Sequence, residues 1–382
     1  MKKNVRAPQS VWTLKRRSAP ALLVLFVFTV VLAGLLLSRA RFEPQGFSDA
    51  LPITHLRISA SIRGIFDGTR VAVARSSRFA VIIDILIDAR PQAGVNQAGL
   101  VIEAPAEAGI TRWLAFYEFD CQLSVVSATG GSASGGNCQV SKIGPVRSLR
   151  PYFLELAEGY RTPVAHVGGS PEALMRAKNG RLFTMNEFFF GRYFFRDPAR
   201  IDPHRILTSA ALLSRALEDV GVSFQELAMP WKWKKNSAPV VNGSYKLQAT
   251  SYKLVNYPPP PETEISWTWN PTTEMFERRQ GSVLEHDTDG AVIAAKTVFV
   301  VETSVAITDA IGRRRITTTG IGTAWLLTPS GRQRLIWKRT ADTPFAFTTT
   351  SGQNLVLEPG KVWITIVPSG QQIAESFSQP NP

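Results

Sequence analysis

Cysteine and histidine are scarce: two cysteines, Cys121 and Cys138, and four histidines occur in 382 residues. No Cys-x-x-Cys and no Cys/His pair at zinc spacing is present, which excludes a structural metal site of the finger or ribbon kind; neither a metal nor a cofactor is expected. Negative charge is in deficit as well. Asp and Glu total 30 against 43 Lys and Arg, a formal net charge of +13, so anionic partners are favoured: nucleic acid, anionic lipid or the polyanions of a cell wall. Helical spacing of apolar residues is missing beyond Ser244, which excludes a helical C-terminal third. The signature Gly-x-Ser-x-Gly is missed at its nearest approach, Gly168-Gly169-Ser170-Pro171-Glu172, where Glu takes the last place.

What is present begins with one long apolar run. Residues 19–37 carry no charge and, as a helix at about 1.5 Å per residue, span roughly 28 Å, close to the hydrocarbon thickness of a bilayer. Lys2, Lys3, Arg6, Lys15, Arg16 and Arg17 precede the run, and only Arg39 and Arg41 follow it closely. The positive-inside rule then places a basic tail, 1–18, in the cytoplasm, a single-pass anchor, 19–37, in the plasma membrane and the bulk of the chain outside. A signal peptide cleaved near Ser38-Arg39-Ala40 is the alternative, although the run is long for one. An extracytoplasmic location removes nucleic acid as a partner. It also suits the cysteines, which bracket a Gly/Ser-rich loop, "QLSVVSATGGSASGGN". A disulfide between Cys121 and Cys138 would remove about 3 kcal/mol of unfolded-chain entropy.

Residues 38–75 read as a spacer. Between 76 and 230, β-rich apolar runs ("FAVIIDILIDA", "TRWLAFYEF") alternate with helical spacing ("SLRPYFLELAEGY", "SPEALMRAKNG", "TSAALLSRALEDVG"). That alternation predicts an α+β N-terminal domain on a mixed sheet. Pro-rich stretches mark a linker at 231–262. From 263 to 370, strand follows strand between turns such as Asp289-Gly290 and Ser330-Gly331, which predicts an all-β antiparallel C-terminal domain, a barrel or sandwich. Its Trp267, Trp269, Trp325, Trp337 and Trp363 read as core at strand spacing. Residues 371–382 form a tail.

Three segments share one arrangement: a strand or loop, a capping residue, then a helix start. "IGPVRSLRPYF" offers Ser148 as N-cap and Pro151 in the first turn, with Arg147 just before the helix and Arg150 inside its first turn. Cations there oppose the helix dipole unless an anion occupies the site. "HVGGSPE" sets His166 at a strand end, Gly168 and Gly169 where backbone approaches closely, and Ser170 as a cap. "DPHRILTS" brings His204 ahead of Thr208 and Ser209, either of which caps the next helix. Upstream, Arg90 and Gln92 follow a buried strand, where α/β sites gather at carboxyl ends. Glu103 and Glu107, with Arg112, offer a carboxylate pair for acid–base work or for salt bridges to Arg90 or Arg112.

Taken in order, "VIIDILIDARPQAGVNQAGLVIEAPAEAGITRWLAFY", "IGPVRSLRPYFLELA", "HVGGSPEAL" and "DPHRILTS", with "LEPGKVWITIVP" near the end, resemble the YerB family over roughly residues 79–370. The resemblance implies a bacterial exported protein, commonly a lipoprotein, with an N-terminal and a C-terminal domain and no proven reaction. This chain departs from the pattern in four places. Ile85 stands where asparagine usually follows the aspartate matched by Asp84. Arg205 and Leu207 interrupt the polar-aromatic run after His204. The cysteine loop is an insertion, and a membrane helix replaces the lipid anchor. At the level of topology alone the chain is also similar to LytR–CpsA–Psr phosphotransferases, single-span envelope proteins whose arginines hold a polyprenyl pyrophosphate.

The expectation is a cleft lined by Arg90, Gln92, Glu103, Glu107, Arg112, Arg147, Ser148, Arg150, His166, Gly168, Gly169, Ser170, His204, Thr208 and Ser209. It would bind an anionic cell-wall or lipid-linked component, because a planar guanidinium gives phosphate or carboxylate two parallel charge-assisted hydrogen bonds. An envelope phosphotransferase or hydrolase using the same residues is one alternative, and a non-catalytic scaffold is another. The sequence leaves catalysis and oligomeric state open.

Overall fold

The apolar run around Ile82 becomes an inner strand of a ten-stranded mixed sheet. The computed structural model describes residues 76–120, 140–222, 229, 231–234, 250–260 and 263–377. The run 19–37, Cys121 and Cys138 and most of the expected linker lie outside them. Among the described residues no helix is long and apolar enough to cross a membrane.

β1 (Ser76–Asp84) pairs antiparallel with β3 (Thr111–Asp120) and parallel with β4 (Val164–His166). β2 (Leu100–Pro105) flanks β3, and β5 (Thr184–Asn186) forms one edge of the sheet beside β4. Phe79, Val81 and Ile83 enter one core while Ala80 and Ile82 enter the other. Burial on both faces is why this strand is apolar at successive positions instead of alternating.

The sheet continues from β2 into the C-terminal half. Val362–Pro368 lies parallel to both β2 and Thr297–Thr303, and Gly320–Thr328, Gly331–Arg339 and Ala346–Thr349 follow outward. The expected antiparallel pairing holds for hairpins such as Gly320–Thr328 with Gly331–Arg339. It does not hold at Val362–Pro368, which arrives by a long connection and not by a tight turn, and so is free to pair in parallel. A second sheet contains Thr250–Leu254, Ile265–Asn270, Met275–Gln280 and Ile373–Phe377. Its first strand falls in the stretch read as linker and its last in the stretch read as tail; each is anchored by pairing with the other. Trp267, Trp337 and Trp363 are buried.

Helices cover both faces of the large sheet. α1 (Pro151–Gly159) buries Phe153, Leu156 and Ala157 with Phe345 and Phe347. α4 (Ala210–Val220) buries Leu213, Ala216 and Leu217 in the other core. The signals at the ends of α4 act as read: Ser209 Oγ accepts from the Leu212 amide at 3.2 Å, and Gly221 closes the helix at φ +73°. α2 (Pro171–Asn179) starts at the Ser170 cap. α3 (Glu187–Phe190) is a single turn of Glu-Phe-Phe-Phe with no helical spacing to announce it; the Asn186 side chain caps it.

Candidate functional site

The carboxyl end of β1 delivers Asp84 into the interior, where it is fully buried. Its Oδ2 lies 2.7 Å from Arg147 Nε and 2.8 Å from His204 Nδ1, and its Oδ1 accepts from the Leu86 amide at 3.2 Å. Antiparallel register places Arg112 directly across from Asp84. Arg112 in turn lies 3.5 Å from Glu107, and Arg150 grips the same carboxylate through Nε and through Nη2, the latter at 2.9 Å. Two clusters therefore lie in line, Asp84 with Arg147 and His204, and Glu107 with Arg112 and Arg150, joined through the register of Asp84 on Arg112. Burial raises the Glu107 carboxyl, but the Arg150 hydrogen bond and the charges of Arg112 and Arg150 outweigh it and hold it below its ordinary value. Burial lowers the Arg112 guanidinium, the charge of Arg150 lowers it further and Glu107 opposes both.

Ser148 does not cap α1. The helix begins at Pro151 with Arg150 in the cap position and no side-chain cap bond. The reason is a backbone constraint. Val167 donates to Arg147, Leu149 to Gly168 and Ser170 to Leu149, at 3.0, 3.1 and 3.1 Å, so residues 147–149 are held extended beside 167–170. Ser148 sits too early for the turn and offers its carbonyl to Arg112 at 3.4 Å. The two arginines of this segment consequently diverge: Arg147 shares Asp84 with His204, and Arg150 turns toward Glu107.

In front of α1 and α2 lies a cavity of about 490 Å³. α1 contributes Arg150 and Glu155, α2 contributes Glu172 and Arg176 with its cap Ser170, and the hairpin of Val305–Ile307 and Arg314–Ile316 contributes Asp309, Arg313, Arg314 and Arg315. Five arginines thus face three carboxylates. Arg176 pairs with Glu155 and, at 2.8 Å, with Glu172; Arg313 pairs with Asp309 at 2.8 Å. Arg314 donates through Nε to the Ala106 carbonyl at 3.3 Å. Among the described residues neither Arg314 nor Arg315 meets a carboxylate. The positive ends of both helix dipoles add to this excess. Of these residues, Arg150 and Ser170 belong to the expected cleft, whereas Arg176 and the three hairpin arginines do not. The run "RRRI" at 313–316 is the available signal for the hairpin arginines, three cations in a row beside a turn.

The remaining expected residues lie elsewhere. Arg90 pairs with Glu285 at 3.2 Å and contacts Gln280. Glu103 meets neither Arg90 nor Arg112 in an ion pair: it receives Arg278 at 2.7 Å, the Thr111 hydroxyl at 2.5 Å and the Trp363 indole at 3.1 Å. Gln92 braces the end of β1 by donating to the Asp84 carbonyl at 3.1 Å. Thr208 donates to the Tyr193 carbonyl at 2.8 Å, and Ser209 caps α4. Gly169 packs on Leu149 and Leu174. His166 lies apart: its Nδ1 is 2.7 Å from the Gly168 carbonyl, and burial lowers its pKa to about 4. The single expected cleft is thus divided among a buried charge line, an arginine cavity and a separate histidine. Among the described residues no group of three or more His, Cys, Asp or Glu is arranged to hold a metal ion.

Two family models match the chain, both described as a protein of unknown function (DUF3048): the N-terminal domain over residues 67–223 and the C-terminal domain over residues 255–364. A Bacillus subtilis (strain 168) relative named "Putative lipoprotein YerB" is 29% identical over 322 residues, which cover 84% of this chain and 89% of the relative. The crystal structure of the YerB protein from Bacillus subtilis matches with a TM-score of 0.65 at 27% identity, covering 81% of this chain and 96% of that chain.

Proposed function

The chain belongs to the two-domain DUF3048 family, and from that premise we propose that it is an extracytoplasmic envelope protein that binds an anionic component through its arginine cavity. The observation that carries this reading is one cavity at two helix starts in which, of five lining arginines, Arg150 is held by Glu107, Arg176 by Glu155 and Glu172, and Arg313 by Asp309, while Arg314 and Arg315 meet no carboxylate among the described residues. A fully paired surface would have no affinity to spare. Here Arg314 and Arg315 line the cavity without a carboxylate among the described residues, and guanidinium binds phosphate or carboxylate through paired charge-assisted bonds. The net charge of +13 draws anions toward the molecule. Attachment to the membrane is supported by the relative named a lipoprotein; in this chain the apolar run 19–37 would serve as the anchor.

A second reading has one observation in its favour. Asp84 holds His204 through Nδ1, which is how a carboxylate orients a histidine that acts as a general base. One experiment separates the two. The full-length chain in mild detergent is titrated with inorganic pyrophosphate by calorimetry. Binding that is lost in Arg314→Ala/Arg315→Ala and kept in His204→Gln supports the cavity. Binding that is indifferent to the arginines overturns it.

A further inference from the structure

α2 is a partition between two spaces. Glu172 and Arg176 face the arginine cavity. Leu174, Ala177 and Lys178 lie on the other side of the same helix, as the 3.6-residue period requires, and line a groove of about 820 Å³. That size is within the range of small-molecule sites. The groove is apolar where the cavity is charged. Leu182, Phe183, Phe188 and Phe190 contribute to its walls, and it runs along β5 at the edge of the large sheet. Phe188 and Phe189 stand 68% and 83% exposed, side by side on α3.

Three further features bear on what the groove accepts. His166, fully buried, contributes to its lining. Because its Nδ1 faces a carbonyl, that nitrogen carries the proton; Nε2 has no hydrogen-bond partner among the described residues. Burial keeps the ring neutral at ordinary pH, so this side of the groove carries no charge. Two cations, Lys178 and Arg181, also line the groove; Arg181 is almost wholly exposed and lies 3.5 Å from Asp342, itself exposed. At the start of α2 the turn Gly168-Gly169-Ser170, with the extended segment 147–149 hydrogen-bonded beside it, lies between groove and cavity. Ser170 lines the cavity, while a Cβ at Gly168 would meet the Phe188 ring at 3.3 Å. Glycine lets the Phe188 ring pack directly on this turn.

We propose that the ligand is an amphiphile: a phosphate-class anion seated in the arginine cavity and carried on a single apolar chain that lies in the Phe188 groove. This deepens the preceding reading and rests on it. Apolar walls take the chain, cationic groups on both sides of α2 match the charged end, and the two spaces share one helix of nine residues, about 14 Å long, as their common wall.

The test uses methyl, hexyl and decyl phosphate on the full-length chain in detergent, with empty micelles as the blank. Affinity should rise at least tenfold from methyl to decyl phosphate. Phe188→Ala/Phe189→Ala, at exposed positions, should remove that gain and leave methyl phosphate binding unchanged. Ala177→Trp, which fills the groove, should do the same. Geranyl phosphate is run beside decyl phosphate; tighter binding of either supports the proposal and tells a branched isoprenoid chain from a linear one. Methyl phosphate bound with no gain from chain length overturns the amphiphile and leaves the anion reading standing. A gain that survives both groove variants also overturns it. No binding of any phosphate overturns both.

Discussion

Two regions of this molecule bring arginine and carboxylate together, and they are built to opposite ends. Around Arg278 every charge is consumed. Its guanidinium is fully buried, bonded to Glu103 at 2.7 Å and to Glu285, and stacked 5.0 Å above the Trp113 ring. Arg90 completes the group through Glu285 at 3.2 Å. Glu103 comes from β2 and Arg278 from Met275–Gln280, so the network stitches the two halves of the chain together. Around Arg314 the same residue types leave charge over and space in front of it. Counting arginines would rate the two alike. What separates them is whether each cation has a carboxylate and whether water can reach it: a closed network is part of the fold, and an open one is available to a ligand.

The largest effect should come from breaking the closed network. Arg278→Met strands the Glu103 carboxylate in the core and should cost about 3–5 kcal/mol, read by chemical denaturation. A loss near 1 kcal/mol would mean the network is not closed. Lys361 sharpens the comparison, because it is a buried cation bonded to an amide: its Nζ donates to Asn96 Oδ1 at 3.0 Å. Burial lowers its pKa from 10.5 to about 7, against the pull of Asp287 and Asp289. Between those values the unfolded chain holds a proton that the folded chain lacks, so stability should rise with pH across that window. Below about 7 both states hold it and the penalty is constant. Lys361→Met should flatten that rise in melting curves taken from pH 7 to 10.

In the open region, Arg314→Ala/Arg315→Ala should change stability by no more than about 1 kcal/mol, while pyrophosphate affinity falls at least tenfold, about 1.4 kcal/mol. The smallest effects concern the two serines. Ser170→Ala removes a cap whose Oγ accepts from the Ala173 amide at 3.3 Å and should cost about 1 kcal/mol. Ser148→Ala, where no cap exists, should lie within about 0.5 kcal/mol of the parent in thermal melts.

What could be read from the chain was local. β1 was legible because its residues are apolar at successive positions, and α4 because Ser209 and Gly221 mark its ends. The charge line is half legible: Arg147, Arg150 and His204 stand out as polar groups at helix starts, while Asp84, which joins two of them, is marked only by the family resemblance and not by any local pattern that points to Arg147 or His204. Its place opposite Arg112 follows from the register of β1 on β3. No local pattern carries that pairing. The partner of Glu103 lies 175 positions away in sequence and reaches it only because the two sheets pack together. The hairpin arginines were visible as charge, but their position before α1 and α2 depends on the large sheet continuing across both halves of the chain.

The most direct test of the account is where an anion binds. A crystal structure of the chain with inorganic pyrophosphate should place it between the starts of α1 and α2, in contact with Arg314 and Arg315. Pyrophosphate seated instead on Arg147 and His204 beside Asp84, or absent from the arginine cavity at saturating concentration, would contradict it.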